Sequence, residues 1–137
     1  MTKKIIYLFV FSLISCSKPN PEEYKKYING YWEIEKVITS DGIEKQYNFN
    51  QSIDYLQVKD KKGIRKKVQP QLNGSFITTK DREIFTLKIE NDSLRMYYVT
   101  PLSKWKETVI SAKEKQLIIK NEAGNLYFYK PYTKIEL

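Results

Sequence analysis

From residue 28 onward the chain predicts an all-β fold, an antiparallel up-and-down β-barrel of about eight to nine strands. Apolar residues recur with a period of two through most of this stretch, and no segment holds a helical 3.6 period for long. Turn-forming clusters (Ser40-Asp41-Gly42, Asn73-Gly74, Asn91-Asp92, Ala123-Gly124-Asn125) punctuate it at regular spacing, the pattern of a meander. A sheet of that many short strands loses its exposed edges by closing on itself.

The elements follow in order. Tyr24 to Ile28 has the make-up of a short helical turn. From Tyr31 to Ile38, Trp32, Ile34 and Ile38 share one face, with Lys36 the exception, and Tyr31, Glu33 and Glu35 share the other. A softer stretch, Glu44 to Phe49, precedes Ile53 to Val58, in which Leu56 and Val58 alternate with Tyr55 and Gln57. Lys61-Lys62-Gly63 turns the chain into Ile64 to Val68, and Pro70 ends that strand or places it on an edge. Asn73-Gly74 is a hairpin dipeptide leading into Phe76 and Ile77. In the second half Phe85, Leu87 and Ile89 point inward, then Leu94, Met96 and Tyr98. Trp105, Glu107 and Val109 alternate with Lys106, Thr108 and Ile110, and Leu117 to Lys120 and Leu126 to Lys130 complete the series.

Ahead of the barrel stands an export signal: Lys3 and Lys4, an apolar run from Ile5 to Phe11, and small Ser15 before the single cysteine, Cys16. The run is too short for a permanent span, which needs roughly 20 apolar residues. Leu13-Ile14-Ser15-Cys16 resembles the lipobox of bacterial lipoproteins. That resemblance implies cleavage before Cys16 and acylation of its sulfur, which also disposes of a lone thiol in an oxidising compartment. The expected organisation is a signal peptide over 1–15, a lipid anchor and tether over 16–27, and the barrel over 28–137. Ser17 to Glu23, with two prolines and no apolar periodicity, reads as tether. The expected location is the bacterial cell envelope, at the outer membrane, periplasmic or surface-exposed, since Ser17 offers no acidic retention signal.

Gly30-Tyr31-Trp32, opening the first strand behind a helical turn, resembles the Gly-X-Trp signature of lipocalins, and the size and meander connectivity suit that family. The resemblance implies that Trp32 closes the barrel floor and that a basic residue near the last strand, Lys130 or Lys134, packs across it. It also implies a small amphipathic ligand held inside. The lipocalin disulfide and the later family signatures are missing.

Composition narrows the functional classes. The formal charge is +8, of which Lys3 and Lys4 account for two, leaving +6 after cleavage. An exported basic protein meets anionic headgroups, glycans and acidic proteins, so nucleic acid is not an expected partner. The chain has no histidine, which removes Ser-His-Asp catalysis and histidine-ligated metal. With Cys16 acylated, no thiolate remains. No metal or cofactor is expected.

Trp32, Tyr55, Tyr98, Trp105 and Tyr127 are the candidate ligand-binding residues, large apolar surfaces some of which carry a polar tip; core packing is the plainer account of each. Lys61, Lys62, Arg65, Lys66 and Lys67 form the densest basic cluster and a candidate anionic-surface patch, with lysine-blunted edge protection as the plainer account. Glu33 with Glu35, and Asp81 with Glu83, are neighbours on one strand face, a poor geometry for acid–base work. The expected function is therefore non-enzymatic: a lipid-anchored barrel holding a small amphipathic molecule. The alternative is a filled barrel that binds an envelope protein, as an assembly factor or inhibitor. Cavity volume separates the two, with ~300 Å³ or more favouring a small ligand.

Overall fold

A computed structural model describes residues 19–134. The expected signal peptide and the expected lipid-attachment residue Cys16 lie outside the described residues. One helix, α1 (Pro21–Ile28), precedes ten strands: β1 (Gly30–Ile38), β2 (Glu44–Gln46), β3 (Ile53–Lys59), β4 (Lys62–Pro70), β5 (Phe76–Thr78), β6 (Glu83–Glu90), β7 (Ser93–Val99), β8 (Lys104–Lys113), β9 (Gln116–Asn121) and β10 (Leu126–Pro131). Eight of them, in the order β1-β3-β4-β6-β7-β8-β9-β10, form an antiparallel barrel that closes through β10 on β1.

The two three-residue strands lie outside the closed ring. β1 pairs with β3 only from Gly30 to Trp32, and β2 takes over along Lys36 to Ile38. β4 likewise pairs with β6 from Lys62 to Arg65, and β5 takes over along Val68 to Pro70. Each short strand satisfies backbone groups where two barrel strands diverge. In the β1–β3 gap the Asn50 side-chain amide donates to the Ile34 carbonyl at 2.9 Å.

Three local expectations are corrected. The helix starts inside the expected tether: Asn20 caps it, its Oδ1 accepting from Glu22 N at 3.1 Å, with Pro21 in the first turn and Glu22 and Glu23 beside the positive end. In β1 the alternation breaks because Ile34 and Lys36 face consecutive residues of β10, so Glu35 is a bulge. Val37, not Ile38, is the buried residue beyond it, and Lys36 turns outward over the Phe128 ring, 4.7 Å from its centroid. β4 is not an edge strand, being paired on both sides.

The core occupies one end of the barrel. Leu56, Phe85, Leu94, Met96, Leu117 and Ile119 are buried there, below α1. Ile28, fully buried at the end of α1, seals that end, and Trp32 Nε1–H donates to the Ile28 carbonyl at 2.8 Å. Trp32 itself is 3% exposed. Neither expected cation lies across its ring: Lys130 pairs opposite Glu33 and is exposed, and Lys134 reaches Gly74, where a Cβ would stand 3.2 Å from its Nζ. Gly63 is required by its neighbour, because an added Cβ would lie 2.2 Å from Phe85 Cζ.

Candidate functional site: the barrel mouth

At the opposite end the interior becomes polar. Asp54 shares the inward parity of Leu56 and Val58 on β3, and Arg65 and Lys67 stand inward on β4, opposite Leu56 and Asp54. Arg65 is the hub. Its Nη1 donates to Tyr98 Oη (3.2 Å) and Glu107 Oε1 (3.1 Å), and its Nη2 to Asp54 Oδ2 (3.0 Å) and Tyr129 Oη (2.8 Å). The side chains of Arg65, Asp54 and Glu107 are 13%, 2% and 12% exposed, so the pairs are desolvated and held by geometry. Lys67 Nζ stands 2.5 Å from Asp54 Oδ1, an ion pair without hydrogen-bond alignment.

The electrostatics follow. Burial works to raise the Asp54 pKa, but the Arg65 and Lys67 charges outweigh it, and the carboxyl titrates below its usual range. Burial alone would lower the Arg65 pKa; Tyr129, Tyr98, Asp54 and Glu107 around it reverse the sign and hold the guanidinium charged. Tyr98 and Tyr129 are pushed well up, chiefly by burial, so both hydroxyls stay protonated.

Above this network an open cavity of about 600 Å³ is walled by Arg65, Glu107, Trp105, Tyr127 and Tyr129, with Thr79, Asp81, Arg82 and Glu83 at its rim. A smaller recess of about 200 Å³ adjoins it through Asp54 and Tyr129 and runs into the β1–β3 gap. Phe85, Tyr98 and Trp105 form an aromatic ladder from core to cavity, with centroids 5.3 Å apart for the first pair and a parallel stack at 4.9 Å for the second.

Of the candidate ligand residues, Trp105 and Tyr127 line the large cavity, and Tyr98 lies beneath it as a partner of Arg65. Trp32 is mostly floor and touches only the smaller recess. Tyr55 is not brought into the mouth: it faces outward against Tyr31, 4.8 Å between centroids. The basic cluster does not form one patch. Lys61 and Lys62 sit exposed at the hairpin of the closed end, whereas Arg65 and Lys67 point into the mouth and Lys66 reaches its wall. Asp54, Glu107 and Asn121 are not among the residues singled out from the sequence. Parity held the missing signal, since Asp54 aligns with Leu56 and Val58, and Glu107 sits between inward Trp105 and Val109.

Residues 28–119 match the family model of the lipocalin-like domain. No curated protein matches the sequence. Among solved structures, the chain is similar to a lipocalin-like protein from Bacteroides uniformis, at 9% identity and a TM-score of 0.48 over 77% of this chain and 98% of that one. It is also similar to an uncharacterized protein from Bacteroides eggerthii, at 12% identity and a TM-score of 0.48 over 76% and 98%. With the family model covering most of an eight-stranded barrel closed by β10 on β1, the chain belongs to the lipocalin-like family.

Proposed function

We propose that the protein is a lipid-anchored, non-enzymatic binding protein of the bacterial envelope that takes a small amphipathic molecule into the barrel mouth. The open cavity of about 600 Å³ above the Arg65 network carries this reading. Its volume falls in the ~300–1,000 Å³ range of small-ligand sites. Trp105 and Tyr127 offer apolar faces to one part of such a molecule, and the charged floor offers polar partners to another. The guanidinium is held as a cation, Asp54 is held below the usual carboxylate range and the Tyr98 and Tyr129 hydroxyls are pushed up, directions that suit binding better than proton transfer at neutral pH. The anchor rests on the likeness of Leu13 to Cys16 to a lipobox.

Two measurements test the proposal. Small molecules released from the purified, intact lipoprotein should be detected by mass spectrometry and be lost from Trp105→Ala; an empty wild-type barrel would count against the cup. Cys16→Ser should abolish fatty-acid labelling and release the domain from membranes, and a variant that partitions like wild type would remove the anchor. A protein partner is the second reading. It is favoured by Phe49, Leu72 and Leu102, which are 82%, 76% and 97% exposed on loops. Recovery of a stoichiometric protein, without any small molecule, would decide for it.

A further inference from the structure

We infer that the ligand's polar group is uncharged and rich in hydroxyls, a sugar-like head, and not a carboxylate, phosphate or ammonium. The inference rests on the binding reading above and deepens it. Arg65 is the obvious anion receptor in the cavity, yet it is spent. Four bonds leave its two terminal nitrogens, their full complement of protons, so only Nε–H remains for a ligand. The floor is also neutral as built, with Arg65 and Lys67 set against Asp54 and Glu107. The rest of the wall carries equal numbers of opposite charges, Lys66 and Arg82 with Asp81 and Glu83, not paired with one another among the described residues. A basic protein thus carries a cavity with no net charge, and a charged head reaching the buried part of its floor would give up its hydration beside Arg65, Asp54 and Glu107, charges already paired with one another.

The spare capacity in the floor is of both kinds. Glu107 uses Oε1 for Arg65 and keeps Oε2 as an acceptor. Tyr129 and Tyr127 accept, from Arg65 and from the Asn121 amide, and each keeps its own O–H to donate. Hydroxyl groups, each one donor and two acceptors, match such an alternation; a carboxylate or an ammonium matches half of it. Trp105, stacked on Tyr98 with its ring 4.9 Å away, leaves its other face for the apolar side of a sugar ring.

Isothermal titration of the full chain in detergent-free lipid nanodiscs, with empty discs subtracted, tests this with hexyl glucoside, hexanoate and hexylammonium. Hexyl glucoside should bind at least about tenfold tighter than either charged probe, as the cost of an unpaired buried charge requires. Equal or tighter binding of hexanoate or hexylammonium would overturn the inference and leave the amphipathic cup standing. Failure of all three to bind would overturn the cup itself. Free glucose separates two sources of the same chemistry: binding as tight as hexyl glucoside identifies a free saccharide, and clearly weaker binding identifies a glycolipid-like head with its tail. Glu107→Gln leaves the floor with a net positive charge, so the glucoside-to-hexanoate preference should fall by about tenfold. An unchanged ratio in a folded variant would overturn the part assigned to floor neutrality.

Discussion

The two halves of this barrel are built on opposite rules. Below the Phe85–Tyr98 contact the interior is close-packed aliphatic and aromatic side chains sealed by Ile28 and Trp32. Above it, a floor of four charged side chains and two tyrosine hydroxyls lies beneath an open cavity. The closed half depends on volume, since apolar contacts are non-directional and only their fit matters. The mouth depends on pairing, since each buried charge is tolerated only while its partner stays in place. Both halves contribute to stability, the closed half through fit and the mouth through pairing.

Substitutions should tell the halves apart. Arg65→Met keeps much of the side chain's length but strands Asp54 and Glu107, and should cost about 3–5 kcal/mol in urea unfolding. Adding Asp54→Asn and Glu107→Gln should recover a large part of that loss, because the network is cooperative and its members are not additive. If the single substitution costs less than ~1 kcal/mol, the mouth is not governed by pairing.

In the closed half the corresponding break is one of volume. Gly63→Ala forces a Cβ into the Phe85 ring and should cost about 1–3 kcal/mol, as overpacking does. Phe85→Leu in the same chain should relieve part of it. Loss without any relief would mean that Gly63 is needed for its backbone and not for space.

The pH dependence should come from the mouth. Asp54 has a folded pKa below its ordinary value of about 3.9, so its stabilisation is fully present above that pH and is lost as the pH falls through the folded value. Thermal melts should show an acid limb beginning near pH 4 that flattens in Asp54→Asn. An unaltered limb would assign it to other carboxylates.

The smallest effect belongs to the closed-end hairpin. Lys61→Gln with Lys62→Gln should change stability by no more than about ±0.5 kcal/mol, as for solvated surface positions. A larger loss in chemical unfolding would show that this hairpin supports the floor.

Most of the architecture was legible in the residues themselves. Strand periodicity and turn chemistry are local, so Phe85, Leu87, Leu94, Met96, Tyr98 and Val109 could be placed inward from parity alone. Asn20-Pro21-Glu22-Glu23 was also legible as a helix start, but its prolines and polar residues resemble a linker equally well. The bulge at Glu35 was not, because a single extra residue shows only against the partner strand, here β10.

What the sequence by itself determined is the all-β class and the inward set of the closed half. These depend on neighbours within a few residues along the chain. What only the tertiary structure decided is the site. Arg65 lies 11 residues from Asp54, 33 from Tyr98, 42 from Glu107 and 64 from Tyr129 along the chain. In the sequence it stands in a basic run with Lys61, Lys62, Lys66 and Lys67 and reads as surface. Only barrel closure brings one face of β4 against β3, β7, β8 and β10, and so turns one member of that run into the hub of the mouth. The physical reason is that a charge is read as exposed until its partners are known, and here every partner arrives from another strand.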